Sequence, residues 1–501
     1  VSLRILIAAS EVVGFAKTGG LADVAGALPR ALAARGHQVA VVMPFYRCVR
    51  LGKVPVERTS HVIPVPVGTR TLACRVFRAK LPKTDVPIFF IDQPEYFDRD
   101  DPAAGRGLYQ QNMPGGYKAD YPDNAERFVF FSRAVVEAAH SMAFVPDVIH
   151  ANDWQTGLVP VYLNEVFRTR PQYEHTRSIF TIHNIAYQGM YGPDVMKLTA
   201  LPGWLFNHAQ LEFHGHFNFL KAGIVFADVI NTVSPTYSRE IQTAEYGCGL
   251  EALLRTSRMK LFGIMNGVDY DAWNPATDPY LPKHYDADTV FDVKPELKAE
   301  LQRQYKLPVE PKKPLLGVVA RLVSQKGIDL ILSAAPGFLD LGCQMVFLGE
   351  GDPEYHNELQ QFKQKHPDQV GVYLGYSEAL AHLVEGGADL FLMPSRYEPS
   401  GLNQLYSMKY GTPPVVRQTG GLADSVVGAT HESLAGGHAT GFSFGEYTAN
   451  ALYQTIKWAV TLYRDRPKDF RQVVRHAMKQ DWSWDRSAAE YEKLYLRVLG
   501  R

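Results

Sequence analysis

Several charged residues stand just after stretches that read as buried strands, which is where open α/β sheets bind their ligands. Lys17 precedes a glycine pair in KTGGLADVAGALP. It adds an ammonium to backbone N–H groups that Gly19 and Gly20, free to take φ > 0, can bring close to an anion, ahead of a helix with a positive N-terminal end. Arg321 and Lys326, in VVARLVSQKGIDL, follow the first strand-like run of the second half. Two cations there clamp a diphosphate and stabilise it as a leaving group. A lone Lys normally reads as a solvated surface cation; three cations at strand ends in two halves favour a ligand. Glu398 lies in PSRYEPSGLNQLYSMKYG after the strand ADLFLM. Pro399 keeps it in extended backbone, and a helix is predicted to start near Ser400 and Gly401. A carboxylate beside helix N–H groups can hold the neighbouring hydroxyls of a sugar; its plainer role is charge at a helix N-terminus.

The six residues TGGLAD occur twice, at Thr18 to Asp23 and at Thr419 to Asp424. Each copy sits at the loop-to-helix entry of a βα unit, and with nothing else aligned between the halves it reads as convergence on one local solution. Short apolar runs alternate with longer amphipathic stretches, the mark of parallel sheets covered by helices, so the class is α/β. In the first half, Arg4 to Ser10, QVAVVMP, Asp147 to Asp153, Ser178 to Asn184 and Ala227 to Ser234 read as strands. A helix from about Leu21 to Arg35 is ended by Gly36. The second half restarts at PLLGVVARL and continues through QMVFLGEG, VGVYLGY, ADLFLMPS, PPVVRQTGG and GFSF. Between them, NGVDYDAWNPATDPYLPKHYDADT reads as a connection between domains.

A chain of 501 residues favours two or more domains. Lys plus Arg and Asp plus Glu are 52 each, which gives no reason to expect a nucleic-acid partner. The four cysteines Cys48, Cys74, Cys248 and Cys343 lack metal-ligand or disulfide spacing. No apolar run approaches the roughly 20 residues that cross a bilayer, so a soluble protein without a membrane partner is expected. The chain begins at Val1, which leaves room for a removed leader.

KTGGLADVAGALP, HANDWQTGLVP, TIHNIAYQG, NFLKAGIVFAD, NTVSPTYSREI, GIMNGVDYDAWNP, ARLVSQKGID, SRYEPSGLNQLYSMKYG and TGGLADSV together resemble the bacterial glycogen synthases and plant starch synthases that use ADP-glucose. The resemblance runs from about Ile5 to the final helix. It implies a retaining glycosyltransferase of the GT-B fold, two Rossmann-like domains facing across a cleft: residues 1–265 on the acceptor side, 266–484 on the donor side, and 485–501 as a helix crossing back to the first domain. By motif, Lys17, Gly19 and Gly20 resemble contacts to the donor's phosphates or glucose, with Thr419 and Gly420 in the second copy. Arg321 and Lys326 resemble the diphosphate pair; Glu398 with Ser400, Gly401 and Leu402 resembles the holder of the glucose 3-OH and 4-OH. His183 resembles the residue at the sugar's reactive face, Asp153 the acceptor-side carboxylate, with Glu11 and Asn184 beside it, and Tyr376 a neighbour of adenine. The family often has Cys where Ser400 stands, and His at positions 152 and 155, here Asn152 and Gln155.

The implied reaction moves glucose from ADP-glucose to the 4-OH at an α-1,4-glucan end, with no cofactor and no metal. Such an enzyme works in the bacterial cytoplasm, or in the plastid stroma if a transit peptide has been removed. Product, oligomeric state and regulation stay open. DRDD, Asp98 to Asp101, reads as a solvated turn, and His214 and His216 as cleft-lining or core residues rather than a metal pair. One alternative is a UDP-glucose-using GT-B transferase of the sucrose or trehalose type, which carries a second Glu where this chain has Tyr406. A silent glucan-binding or priming scaffold is the other; it should lack one of Lys17, Arg321, Lys326 and Glu398.

Overall fold

The computed structural model describes residues 2–99, 107–113, 118–142 and 144–501. They divide into two compact units. The first comprises Val1–Val233, Ser238–Gly267 and Trp484–Arg501; the second comprises Ser234–Tyr237 and Val268–Ser483.

The first unit is built on β1 (Arg4–Ala8), β2 (Gln38–Pro44), β3 (Glu57–Val67), β4 (Arg70–Lys80) and β5 (Pro87–Asp92). These are followed by the short pair β6 (Gln110–Asn112) and β7 (Lys118–Asp120), then β8 (Val148–Asn152) and β9 (Arg177–Ile182). A small antiparallel sheet of β10 (Met190–Tyr191), β11 (Glu212–Phe213) and β12 (His216–Asn218) precedes β13 (Val229–Thr232) and β14 (Leu261–Gly263). The main sheet has the order β14-β13-β9-β8-β1-β2-β5-β4-β3. It is parallel from β14 to β5 and antiparallel at β5-β4 and β4-β3. β1, β2 and β8 are buried almost throughout, as parallel strands covered on both faces must be. Strand order turns back between β1 and β8, the position where loops diverge and a ligand crevice forms.

The antiparallel extension was not expected. β3 carries Pro64 and Pro66, which argue against a strand, yet it lies at the sheet edge, where a missing donor is tolerated. The helix behind β1 runs Gly20–Ala34, and Gly36 follows its C-cap at φ 91°, the left-handed step that ends it.

The last helix, Trp484–Val498, belongs to the first unit. It is tied to the helix Gly20–Ala34 through Arg35, whose guanidinium meets Glu492 at 2.8 Å and Asp485 at 3.1 Å. Beneath it, the Tyr495 hydroxyl lies 2.9 Å from His150 Nδ1, and His150 Nε2 lies 2.7 Å from Thr181 Oγ1. Tyr491 accepts from Asn231 on β13. The final helix therefore braces β8, β9 and β13 from below.

The second unit has one parallel sheet: β15 (Leu315–Val319), β16 (Gln344–Gly349), β17 (Val370–Leu374), β18 (Leu390–Met393), β19 (Pro414–Arg417) and β20 (Phe442–Phe444), in the order β17-β16-β15-β18-β19-β20. Its order reverses between β15 and β18. Residues 268–289, expected as a connection, are instead part of this unit's body. Leu281 and Tyr285 are buried in its core, the Tyr285 hydroxyl donates to the Tyr410 carbonyl, and Trp273 is sandwiched between His382 at 3.8 Å and Tyr406 at 4.0 Å. The segment lacks periodicity because its aromatic residues fill separate holes.

All four cysteines are free thiols. Among the described residues no helix is long and apolar enough to cross a membrane. Tyr495→Phe removes one partner of a fully buried imidazole and should cost about 1–3 kcal/mol in a urea melt; an unchanged midpoint would show that the bond carries no stability.

Candidate functional site

In the first unit, three adjacent strand ends carry the expected residues: β1 leads to Glu11 and Lys17, β8 to Asp153, and β9 to His183 and Asn184. Asp153 sits at φ 57°, ψ 178°, a backbone region costly for a residue with a side chain. The strain turns its carboxylate onto the backbone N–H of His183, 2.7 Å from Oδ1, and onto that of Asn184. The residue is partly exposed but its carboxyl is desolvated, and burial pushes its pKa up to about 7 despite those N–H donors.

His183 Nε2 lies 2.9 Å from Asn152 Oδ1, while the Asn152 amide nitrogen donates to the Ala8 and His150 carbonyls. With the amide so oriented, Oδ1 can only accept, so His183 carries its proton on Nε2 and keeps Nδ1 as an acceptor. Burial lowers the imidazole pKa to about 3, which keeps it neutral. Asn152 was noticed only as a departure from the resembled motif. Its role is to set the tautomer of His183. Asn184 closes its own turn, with Oδ1 accepting from Ala186 N–H.

The two TGGLAD copies differ in the reason for their glycines. In the first, Gly19 is extended and neither glycine takes a positive φ, contrary to expectation. A Cβ added at Gly19 or Gly20 would meet nothing within 4 Å. Lys17 is half-exposed and pairs with Asp23 at 2.7 Å. The loop's N–H groups, expected to approach a ligand anion, meet an internal one: those of Thr18 and Gly19 are held by the Glu11 carboxylate.

In the second copy the glycines are demanded by protein packing. Gly420 has φ 45°, and its Cβ would fall 1.9 Å from the Glu398 carbonyl oxygen; at Gly421 the Ser400 carbonyl oxygen is 2.1 Å away. The Gly421 N–H also donates to the Glu398 and Pro399 carbonyls. Asp424, the counterpart of Asp23, accepts from the Thr236 N–H and hydroxyl at 2.7 Å each. Thr419 is buried at the helix entry. This copy forms the floor under Glu398.

Glu398 itself is 5% exposed. Its Oε2 accepts from Lys326 Nζ at 2.6 Å and from Ser395 Oγ at 3.0 Å. Lys326 follows β15 and Glu398 follows β18, so the switch point of the sheet brings the expected diphosphate cation and sugar-holding carboxylate into direct contact. The Arg321 side chain is exposed and makes no hydrogen bond or ion pair among the described residues. The next helix begins at Asn403 rather than near Ser400, because Gly401 at φ 68° takes a left-handed step that no helix can include. Ser400 Oγ is buried with no hydrogen-bond partner among the described residues, and Leu402 caps the helix. Tyr376 is 72% exposed beyond β17, two strand spacings or about 10 Å from β15.

The remaining candidates lie in turns and at the surface. His214 and Gly215, at φ 51° and 81°, form the two-residue turn of the β11-β12 hairpin. His214 and His216 are both exposed, which corrects the core reading. Asp98 and Arg99 are ion-paired, with Arg47 and Asp123 respectively, and are not a freely solvated turn; Asp100 and Asp101 lie outside the described residues. No group of three or more His, Cys, Asp or Glu among the described residues could hold a metal ion.

The two glycine pairs predict opposite outcomes. Gly20→Ala should leave thermal stability unchanged or raise it by up to about 1 kcal/mol, whereas Gly421→Ala, forced against a carbonyl, should cost about 1–3 kcal/mol or more. Equal shifts in the two variants would contradict this. Asp153 makes a pH-dependent contribution. Its folded pKa of about 7 lies above its unfolded value, so stability is lost as pH rises from about 4 to about 7. Asp153→Asn abolishes that loss. Its melting temperature relative to the parent should therefore rise between pH 5 and pH 8, and a flat difference would mean the carboxyl titrates normally.

Residues 4–256 match the family described as starch synthase catalytic domain, and residues 300–476 match glycosyl transferases group 1. The chain is 43% identical to a glycogen synthase of Rhodopirellula baltica, over 99% of this chain and 98% of that one. It is 45% identical to a glycogen synthase of Anaeromyxobacter dehalogenans, over 98% and 99%. Among solved structures, the catalytic domain of starch synthase IV from Arabidopsis thaliana, bound to ADP and acarbose, superposes with a TM-score of 0.89 at 32% identity, covering 100% of both chains. Sucrose-phosphate synthase from Thermosynechococcus elongatus shares the fold, with a TM-score of 0.57 at 18% identity over 99% of both chains. The chain belongs to the glycogen and starch synthase family of GT-B glycosyltransferases.

Proposed function

We propose that the enzyme transfers glucose from ADP-glucose to the non-reducing-end 4-OH of an α-1,4-glucan with retention of configuration, and that the Lys326–Glu398 pair with Arg321 forms the donor's charged cradle. The observation that carries this reading is the contact between Lys326 and Glu398 at the switch point of the second sheet, with an uncommitted Arg321 after the same strand. The ADP-bound starch synthase neighbour supports the nucleotide.

As the glycosidic bond breaks, negative charge develops on the departing diphosphate. Arg321 and Lys326 stabilise it by charge-assisted hydrogen bonds. Glu398, fixed by Lys326 and Ser395, accepts from the glucose hydroxyls, and the exposed ring of Tyr376 stacks on adenine. Lys17 adds a cation from the KTGGL loop. On the acceptor side, Asp153 orients the glucan end and His183 Nδ1 accepts from a sugar hydroxyl. Retention through a covalent intermediate needs two carboxylates about 5 Å apart. The position where sucrose-type enzymes carry a second Glu is Tyr406, whose ring is stacked on Trp273 and is part of the core. Same-face attack within an ion pair, with the leaving phosphate taking the acceptor proton, fits this residue set. The cations do the work a divalent metal does in other sugar-nucleotide enzymes, so no metal is required. The bacterial relatives support a cytoplasmic setting.

Nucleotide release with ADP-glucose and UDP-glucose in competition, with and without glycogen, tests the assignment. Glycogen-dependent release from ADP-glucose is expected; preference for UDP-glucose would favour the sucrose-type reading, and no incorporation into primer the silent scaffold. Arg321→Ala should lower turnover about 10- to 100-fold with an unchanged melt, since one charge-assisted bond is worth roughly 1.5–3 kcal/mol. Lys326→Ala should lower both turnover and stability, because it leaves Glu398 buried without its cation. Glu398→Gln should nearly abolish activity in a folded protein. Near-normal rates in all three would remove the cradle from the mechanism.

A further inference from the structure

Glu11 follows β1 and is 4% exposed. Its Oε1 accepts from the Thr18 hydroxyl at 2.6 Å and from the Tyr109 hydroxyl at 2.8 Å. Its Oε2 accepts from the Gly19 N–H at 3.2 Å and from the Thr18 N–H. Tyr109, in turn, lies 2.7 Å from Ser10 Oγ, and with its proton on Glu11 it accepts there. A carboxylate offers about four lone-pair sites, and here four donors fill them. That leaves no acceptor capacity for a glucan hydroxyl, the role expected of Glu11 from the resemblance.

Three of the four donors come from one loop. Two are backbone N–H groups of the KTGGL loop and a third is the hydroxyl between them, so the nest that could have bound a phosphate is occupied by an internal anion. The far side of the same loop is bare: Gly19 and Gly20 have no neighbour where a Cβ would stand, and Lys17 is half-exposed.

We propose that Glu11 is the positioning residue of the KTGGL loop: held by Thr18, Gly19 and Tyr109, its carboxylate fixes the loop from beneath so that Lys17 and the bare glycine surface meet the donor's diphosphate. The inference rests on the donor reading above. It assigns Glu11 to donor rather than acceptor binding, and makes Tyr109, which no sequence motif marks, part of the support.

Glu11→Gln tests it, because an amide turns an NH₂ toward donors and cannot accept all four bonds. The KM for ADP-glucose should rise about tenfold while the KM for glycogen stays within about twofold, and amide hydrogen exchange at Thr18 and Gly19 should accelerate. A rise confined to the glycogen KM would overturn the proposal in favour of direct acceptor binding, and two unchanged KM values would overturn it outright. If Glu11→Gln does not fold, Thr18→Val, at an exposed position, removes one bond and should raise the ADP-glucose KM about threefold; no change there also overturns it. The exchange measurement needs no turnover. A parent enzyme without glycogen-dependent nucleotide release would refute the synthase reaction, whereas slow exchange persisting in Glu11→Gln would refute the loop assignment alone.

Discussion

Parallel strands dictate where this protein can do chemistry. They send every strand's carboxyl end to one edge of a sheet, and each following helix begins there with unsatisfied N–H groups. Only where strand order reverses do neighbouring loops part and leave room for a ligand. In the first unit that place lies between β1 and β8, and the residues there are Glu11, Lys17 and Asp153; in the second it lies between β15 and β18, and they are Lys326 and Glu398. Residues far apart in the chain meet because the sheets leave them no other place.

Most site residues are then held in place by their neighbours. Asn152 fixes the proton on His183, backbone N–H groups hold the Asp153 carboxylate at the expense of a strained φ, and Ser395 and Lys326 hold Glu398. The buried charges of the site are compensated before any ligand arrives, as low-dielectric surroundings require. The Arg321 guanidinium is the exception, exposed and without a protein partner among the described residues, and its charge remains available.

The repeated TGGLAD shows how one local sequence serves two physical ends. In the second copy the missing Cβ atoms admit the backbone of Glu398 and Ser400, and the glycines are structural. In the first nothing of the protein fills that space, and the same glycines leave a surface open. Their Asp residues diverge likewise, Asp23 to Lys17 and Asp424 to Thr236.

Apolar runs and their spacing were enough to read the two parallel sheets, the helix behind β1 and its glycine stop, because buried parallel strands are continuous apolar segments and leave a local signature. Motifs likewise marked Lys17, Asp153, His183, Arg321, Lys326 and Glu398. The edge strand β3, half-exposed and bearing prolines, and its exposed neighbour β4 have no such signature, and residues 268–289 pack singly into holes that no periodicity reveals. What tertiary structure alone decided was partnership: that Lys326 meets Glu398, that Asn152 sets the proton of His183, and that Glu11 and Tyr109 hold the loop of Lys17. Most of those contacts join residues tens of positions apart, and a chain written in one dimension carries residue types and spacing, whereas a hydrogen bond depends on distance in space.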